Sequence, residues 1–416
     1  MVFFYLADTW YVSQLGTQEL AALGFTFPAT IMVTYLGVGL AIGTSALVAK
    51  FIGANDKEKA VEITYAAVAF GYLFGLLMIF PALACITWVF TLMGASPEIL
   101  ELIRDFMSFW YLGIPLLLVQ FAGTAVMRAC GNSKLQGRLM MLSAAVNATL
   151  DPILIFGPGP LPAFGIKGAA IATVMTWVLT NIFIWYYLVK KEEMLKVFWP
   201  GISKLIQDWL QLMRITLPAA LANMITPLAT GVITATLAAY GSSAVAGFGV
   251  VMRIEALVLI VMLGMSMSLP PFISQNFGAQ TYERLRHGLK LSLKFIMALQ
   301  FALYVIVALA APFIATIFSP EQDVRDVIVT ILRILPASYA FQGMVVLSAS
   351  SFNALHAPRN ALIISLLRFF VFYVPLALIG ANLGGITGLF IGAAIGNLLA
   401  GLLSTWWINR YTATLE

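Results

Sequence analysis

Two carboxylates stand in apolar surroundings where a charge is expensive. Asp8 lies in an N-terminal apolar run, eight residues before Gly16, and Asp151 lies in Asn147-Ala148-Thr149-Leu150-Asp151-Pro152. An ionised side chain deep in an apolar span costs roughly 2.5–3.5 kcal/mol, so each needs a compensating partner. Asn147 and Asp151 are spaced i, i+4, which puts them on one helical face. Pro152 lacks an N–H and its ring opposes the carbonyl of Ala148, so a local kink with freed carbonyls is expected beside the carboxylate. Carboxylate, amide and carbonyl oxygens together form a donor set for a hard cation. Two carboxylates in low dielectric repel, and a proton or cation held between them relieves the repulsion. Na⁺ and H⁺ would therefore compete for the same oxygens. The plain alternative is a set of polar groups that hydrogen-bond helices together.

Other candidates are weaker. Arg253 and Glu255 stand two residues apart in a later run, so on a helix they point to different faces and do not pair. Glu255 is a candidate substrate contact, with a structural role as its alternative. Met32, Met224 and Met262 belong to a larger set of methionines in apolar runs and suit an adaptable, promiscuous pocket, although packing is the default for any single one. Arg128, Arg138, Arg368 and Arg410 fall at the inner ends of apolar runs, where their side chains are expected to snorkel to headgroups. Nothing supplies a nucleophile, a metal cluster or a paired acid and base at the membrane edge, so an enzyme is not expected. Cys85 and Cys130 fall toward opposite faces and are not expected to form a disulfide, and His287 and His356 stand alone in polar connections. No cofactor is expected beyond the coupling ion.

The elements that position these residues follow from composition. Of 416 residues 61% are hydrophobic and only 10% charged, against roughly 25% charged in a soluble domain. The apolar runs extend for about 20 to 30 residues, enough to cross ~30 Å of hydrocarbon at ~1.5 Å per residue. The chain therefore reads as an all-α polytopic membrane protein. Its twelve spans are 1–16, 20–50, 61–90, 99–128, 134–157, 166–189, 209–239, 243–274, 288–317, 323–352, 360–381 and 385–409. Basic residues gather in alternate connections: Lys57 and Lys59, Lys134, Lys190 to Lys204, Arg284 and Arg286, then Arg359. The positive-inside rule makes those connections and both termini cytoplasmic, in the plasma (inner) membrane of the cell. The net charge of +5 is thus spent on topology, and no nucleic-acid partner is expected. By depth, Asp8 and Asp151 both lie in the outer half of the bilayer. The first span is too short, at ~24 Å, so the chain is expected to begin inside its first helix, with roughly fifteen to twenty residues absent.

An internal repeat organises the spans. An offset of 225 sets Gly16 over Gly241, Gly24 over Gly249, Gly39 over Gly264, and Gly53-Ala54 over Gly278-Ala279. With small shifts Pro115 then meets Pro336, Lys134 meets Arg359, and Gly165-Ile166-Lys167-Gly168 meets Gly385-Ile386-Thr387-Gly388. Six spans per half return the chain to one side, so the two six-helix repeats are parallel. The organisation expected is a lobe over 1–190, a cytoplasmic interfacial linker over 191–208 and a lobe over 209–416. Within the linker Ile202, Leu205, Ile206 and Trp209 fall at i, i+3, i+4, i+7, an interfacial amphipathic helix. Asp8, Asn147 and Asp151 are not repeated: Ile233 and Leu376 stand in the corresponding places, which favours an ion site over general helix bonding.

These features resemble the multidrug and toxic compound extrusion (MATE) family of the oligosaccharidyl-lipid/polysaccharide flippase superfamily. The resemblance rests on Asp8-Thr9-Trp10-Tyr11-Val12-Ser13-Gln14-Leu15-Gly16, Gly53-Ala54, Arg128-Ala129-Cys130-Gly131-Asn132, Asn147…Asp151-Pro152, and the run from Gly165 to Thr173. It implies alternating access in which Na⁺ or H⁺ drives export of small organic, mostly cationic and amphipathic compounds by a monomer. Asp8 would bind the coupling ion with Asn147 and Asp151, and the Ala169 carbonyl and Thr173 would complete the shell around Na⁺. A lipid-linked sugar flippase usually has more spans and a more cationic cavity. A major-facilitator transporter usually has a Gly-Asp-Arg-rich loop after its second span. Neither fits as well, and the carboxylates and the repeat disfavour a passive channel.

Overall fold

The computed structural model describes residues 2–157, 162–196 and 200–415, with side chains from Asp8 onward. Residues 197–199 of the expected linker lie outside the described residues. Among the described residues the chain is helical and has no strand. The helices are α1 (Val2–Ser13), α2 (Thr17–Gly53), α3 (Lys57–Leu92), α4 (Pro97–Leu112), α5 (Ile114–Ala129), α6 (Ser133–Phe156), α7 (Ile166–Lys190) and α8 (Ile202–Ala238). They continue as α9 (Ser242–Val258), α10 (Ile260–Gly278), α11 (Tyr282–Phe318), α12 (Gln322–Ile334), α13 (Tyr339–Ala354), α14 (Pro358–Leu366) and α15 (Val374–Ala413). A 3₁₀ turn (Leu335–Ser338) joins α12 to α13, and a π-helical stretch (Leu367–Tyr373) joins α14 to α15.

Eight helical segments are long and apolar enough to cross a membrane, or ten with each of two bent pairs taken as one span. The last segment, Pro358–Ala413, holds two spans folded at Gly384 and Gly385, and the short α1 supplies the twelfth. Large apolar side chains such as Phe80, Leu309 and Leu383 face outward, as a lipid-facing surface requires.

Three expected spans are interrupted. Span 99–128 is α4 and α5, bent by 47° at Gly113, where Pro115 has no N–H to offer the carbonyl of Tyr111. Its repeat partner, 323–352, tightens into the 3₁₀ turn at Pro336. Span 243–274 is α9 and α10, bent by 44° around Leu259, where the local sequence offers no breaker. α6, by contrast, runs through Pro152 without a break. The stretch 202–209 is not a separate interfacial helix either. It forms the first turns of α8, because no breaker separates it from the span. Lys204 pairs with Glu62, Asp208 accepts from Lys59 at 2.8 Å, and the Trp209 indole donates to the Ala66 carbonyl at 2.9 Å.

The backbone carries the repeat in its rarest conformations. Gly165 has φ 57°, ψ −139° and Gly385 has φ 58°, ψ −141°. Asn55 (φ 58°) matches Gln280 (φ 59°) at the offset of 225, and Gly131 (φ 85°) matches His356 (φ 57°). Positive φ is uncommon outside glycine, so these pairs mark equivalent turns.

Two compact units divide the chain at Ala220 and Leu221, inside α8. In the first, α2 packs on α3 and α5, α4 on α7, and α6 on α7. In the second, α13 packs on α10, α11 and α15. Each has its own apolar core. Two arginines expected to snorkel do not: Arg128 is 7% and Arg368 8% exposed, both enclosed by protein. Arg138 and Arg410 are exposed, and Arg410 lies over the Trp406 ring.

Candidate functional site

α6 carries Ser143, Asn147 and Asp151 at i, i+4, i+8, and all three are buried, the last two with no exposure at all. Asn147 Nδ2 donates to Asp151 Oδ1 at 3.2 Å. α1 packs beside α6 and brings the Asp8 carboxyl against both side chains. An edge-to-face contact between Tyr11 and Phe156, centroids 6.4 Å apart, holds the same two helices one turn further along. Three oxygens in this cluster are buried without a hydrogen-bond partner: Asp8 Oδ1, Asn147 Oδ1 and Asp151 Oδ2. Buried polar atoms are otherwise almost always satisfied. A cluster of unpartnered acceptors, two of them carboxylate oxygens, is complementary to a proton or a small hard cation.

α7 closes one side of the cluster. Gly168 lets it approach α6 closely: a Cβ there would stand 2.3 Å from the Leu154 carbonyl oxygen. Further along, the Thr180 hydroxyl donates to Ser143 Oγ at 3.3 Å. These two contacts fix an antiparallel register that sets Asp151 level with Ile171 and Ala172, Asn147 level with Met175 and Thr176, and Thr173 between them in depth. Ala169 lies one turn from Thr173, and both are buried. The structure therefore gathers Asp8, Asn147 and Asp151, and places Thr173 on the neighbouring helix at their depth. Ser143, Thr176 and Thr180 extend the polar seam and were not singled out from sequence. The i, i+4, i+8 spacing from Ser143 to Asp151 was the available signal.

The substrate contacts expected from the sequence do not form one group. Met32 on α2 is 58% exposed, and Met224 on α8 is half-buried. Met262 is 2% exposed and lies against Gly343 in the core of the second unit, so it serves packing rather than an open pocket. Glu255 on α9 faces Tyr339 and Gln342 on α13 and feels the charge of Arg368. Arg253 is exposed and does not join it.

Comparison with known proteins agrees with this architecture. A family model described as MatE matches residues 1–153 and 218–379. The chain is 39% identical over 409 residues to a protein of Shewanella oneidensis named FAD transporter, covering 98% of this chain and 90% of that protein. It is 24% identical to the Staphylococcus aureus multidrug export protein MepA, covering 93% of this chain and 84% of that one. Among solved structures, the Vibrio cholerae MATE transporter VcmN in its bent form superposes with a TM-score of 0.93 at 31% identity, covering 98% of this chain and 92% of that one.

Proposed function

The chain belongs to the MatE family of membrane transporters, and on that premise we propose that it is a cation-coupled exporter whose driving ion is held by Asp8, Asn147 and Asp151. The observation that carries this reading is the set of three buried, unpartnered acceptor oxygens in the N-terminal unit. When Na⁺ or H⁺ enters from outside, its single positive charge lies between the two carboxylates and relieves their repulsion. When the ion leaves, their repulsion returns in a low-dielectric setting. That difference gives the ion unequal affinity for two conformations, which is what coupling requires. The Ala169 carbonyl and Thr173 would complete the shell if the ion is Na⁺.

For the cargo, the relative at 39% identity favours a flavin dinucleotide, a small organic dianion. A second reading, export of cationic amphipathic drugs, is favoured by the multidrug relatives at 24% identity and by the exposed Met32. We place the protein in the plasma membrane as a monomer with cytoplasmic termini.

Proteoliposomes test the reading. Loaded with FAD in one preparation and ethidium in another, they should export the cargo when a Na⁺ gradient or a pH gradient is imposed. Transport of FAD alone would select the first cargo, and transport of ethidium alone the second. Cargo movement indifferent to both gradients would overturn cation coupling.

A further inference from the structure

The C-terminal unit contains a second buried polar cluster of opposite chemistry. The π-helical stretch Leu367–Tyr373 precedes Pro375, whose ring would oppose the Val371 carbonyl in a regular α-helix. Widened turns of this kind are rare and occur frequently at functional sites. The second half of α15 lies close against the stretch because Gly396 has no side chain: a Cβ there would be 2.7 Å from Cα of Tyr373. That approach brings the next residue, Asn397, to Arg368, whose Nε–H donates to Asn397 Oδ1 at 3.1 Å. Asn397 Nδ2 in turn donates to Ser338 Oγ at 3.0 Å, and the Ser338 hydroxyl donates to the Leu335 carbonyl at 2.8 Å. Both the oxygen and the nitrogen of the Asn397 amide are thus engaged, and it fixes the orientation of the guanidinium.

What the guanidinium faces is unfinished. Arg368 is 8% exposed, stacks on the Phe369 ring at 4.7 Å, and makes no ion pair among the described residues. Neither of its Nη groups has a hydrogen-bond partner among them. Its nearest opposite charge, Glu255, acts on it through space from beyond ion-pair distance. The Tyr339 hydroxyl, also buried, is turned toward the Glu255 carboxylate. The two amino groups of the guanidinium are therefore spare donors, held in a fixed frame. A planar fork of N–H groups fits the paired oxygens of a phosphate or carboxylate.

We propose that Arg368, oriented by Asn397 and held in check by Glu255, is an anion site that takes a phosphate or carboxylate group of the exported compound. Glu255 shields the guanidinium while the site is empty and opposes the incoming anion, so the pair sets how tightly the cargo is held. This rests on the chain being an exporter, not on FAD being its cargo.

The test is equilibrium binding to the purified full-length protein in detergent, with FAD, carboxyfluorescein and ethidium as separate probes. Arg368→Gln should weaken FAD and carboxyfluorescein at least tenfold and leave ethidium within twofold. Arg368→Lys, which keeps the charge, should recover part of the loss. Glu255→Gln should tighten anion binding several-fold, an effect opposite in sign to that of losing a merely structural partner. Asn397→Ala should weaken anions less than Arg368→Gln does, and it serves where that variant fails to fold. Carboxyfluorescein binding without FAD binding would remove the flavin cargo and leave the site standing. Anion binding unchanged in Arg368→Gln, weakened in Glu255→Gln, or absent from the wild type would overturn the proposal.

Discussion

The two polar clusters occupy the two halves of one repeat, and their chemistry is inverted. In the N-terminal unit span five supplies Asn147 and Asp151, and the spare groups are acceptors. In the C-terminal unit the corresponding span eleven supplies Arg368, and the spare groups are donors. The backbone is repeated down to the dihedral angles of Gly165 and Gly385, and both halves bring the last span of the repeat in through a matching glycine, Gly168 or Gly388. Duplication kept the scaffold and let the charges diverge. A pair of like sites would bind the same ion twice. On the proposed reading, a pair of opposite sites would give one lobe a cation and leave the other free for cargo.

The largest effect that would sharpen this contrast comes from the acids. With both Asp8→Asn and Asp151→Asn, gradient-driven export should fall about 100-fold, equivalent to ~2.7 kcal/mol of barrier, while the protein still inserts and still binds cargo. Transport assays in proteoliposomes, with cargo binding measured in detergent, decide it. Next come the glycines, where the halves should behave alike. Gly168→Leu and Gly388→Leu each force a side chain into a backbone already within 3 Å. Overpacking of this kind costs about 1–3 kcal/mol, so both variants should melt earlier in a detergent thermal scan. A large loss in one half only would break the structural equivalence.

Thr173→Val should have a smaller, selective effect. If Na⁺ is the driving ion, its half-saturating concentration should rise several-fold with no change in melting temperature; if H⁺ is, transport should be unmoved.

The smallest effect concerns the cytoplasmic start of α8. Burial works against the Lys59 ammonium, but hydrogen bonds to Asp208 and Glu62 outweigh it and hold its pKa above the ordinary lysine value. The stabilisation is therefore fully present below the ordinary value of ~10.4 and is lost only as pH rises through the higher folded one. Lys59→Ala should lower stability by up to about 1 kcal/mol for a partly exposed pair, by the same amount at pH 6 and pH 8 in a thermal scan.

The N-terminal cluster was legible because a carboxylate in an apolar run has few explanations, and because Asn147 and Asp151 announce a shared face by spacing alone. The repeat was legible in its glycines, and with it the span order. The C-terminal cluster was hidden. Arg368 stands near the end of its apolar run, where an arginine ordinarily reaches for headgroups. Its burial depends on a π-helical turn and on a glycine one helix away, and neither has a periodic signature. Asn397 looked like one polar residue among many until Gly396 brought it to the guanidinium. The continuity of α8 was missed for a related reason. The apolar stripe over 202–209 suits an interfacial helix, but Lys204, Asp208 and Trp209 all bond to α3 and carry the stretch into the span.

The central claim is that the N-terminal oxygens hold the driving ion, and direct ion binding tests it without any cargo. Proton uptake and Na⁺ binding should be measured on the purified protein across pH 5 to 9, for the wild type and for the double variant with Asp8→Asn and Asp151→Asn. The wild type should bind a cation that the double variant does not, and where Na⁺ binds it should displace a proton. Equal uptake by the two proteins would contradict the account.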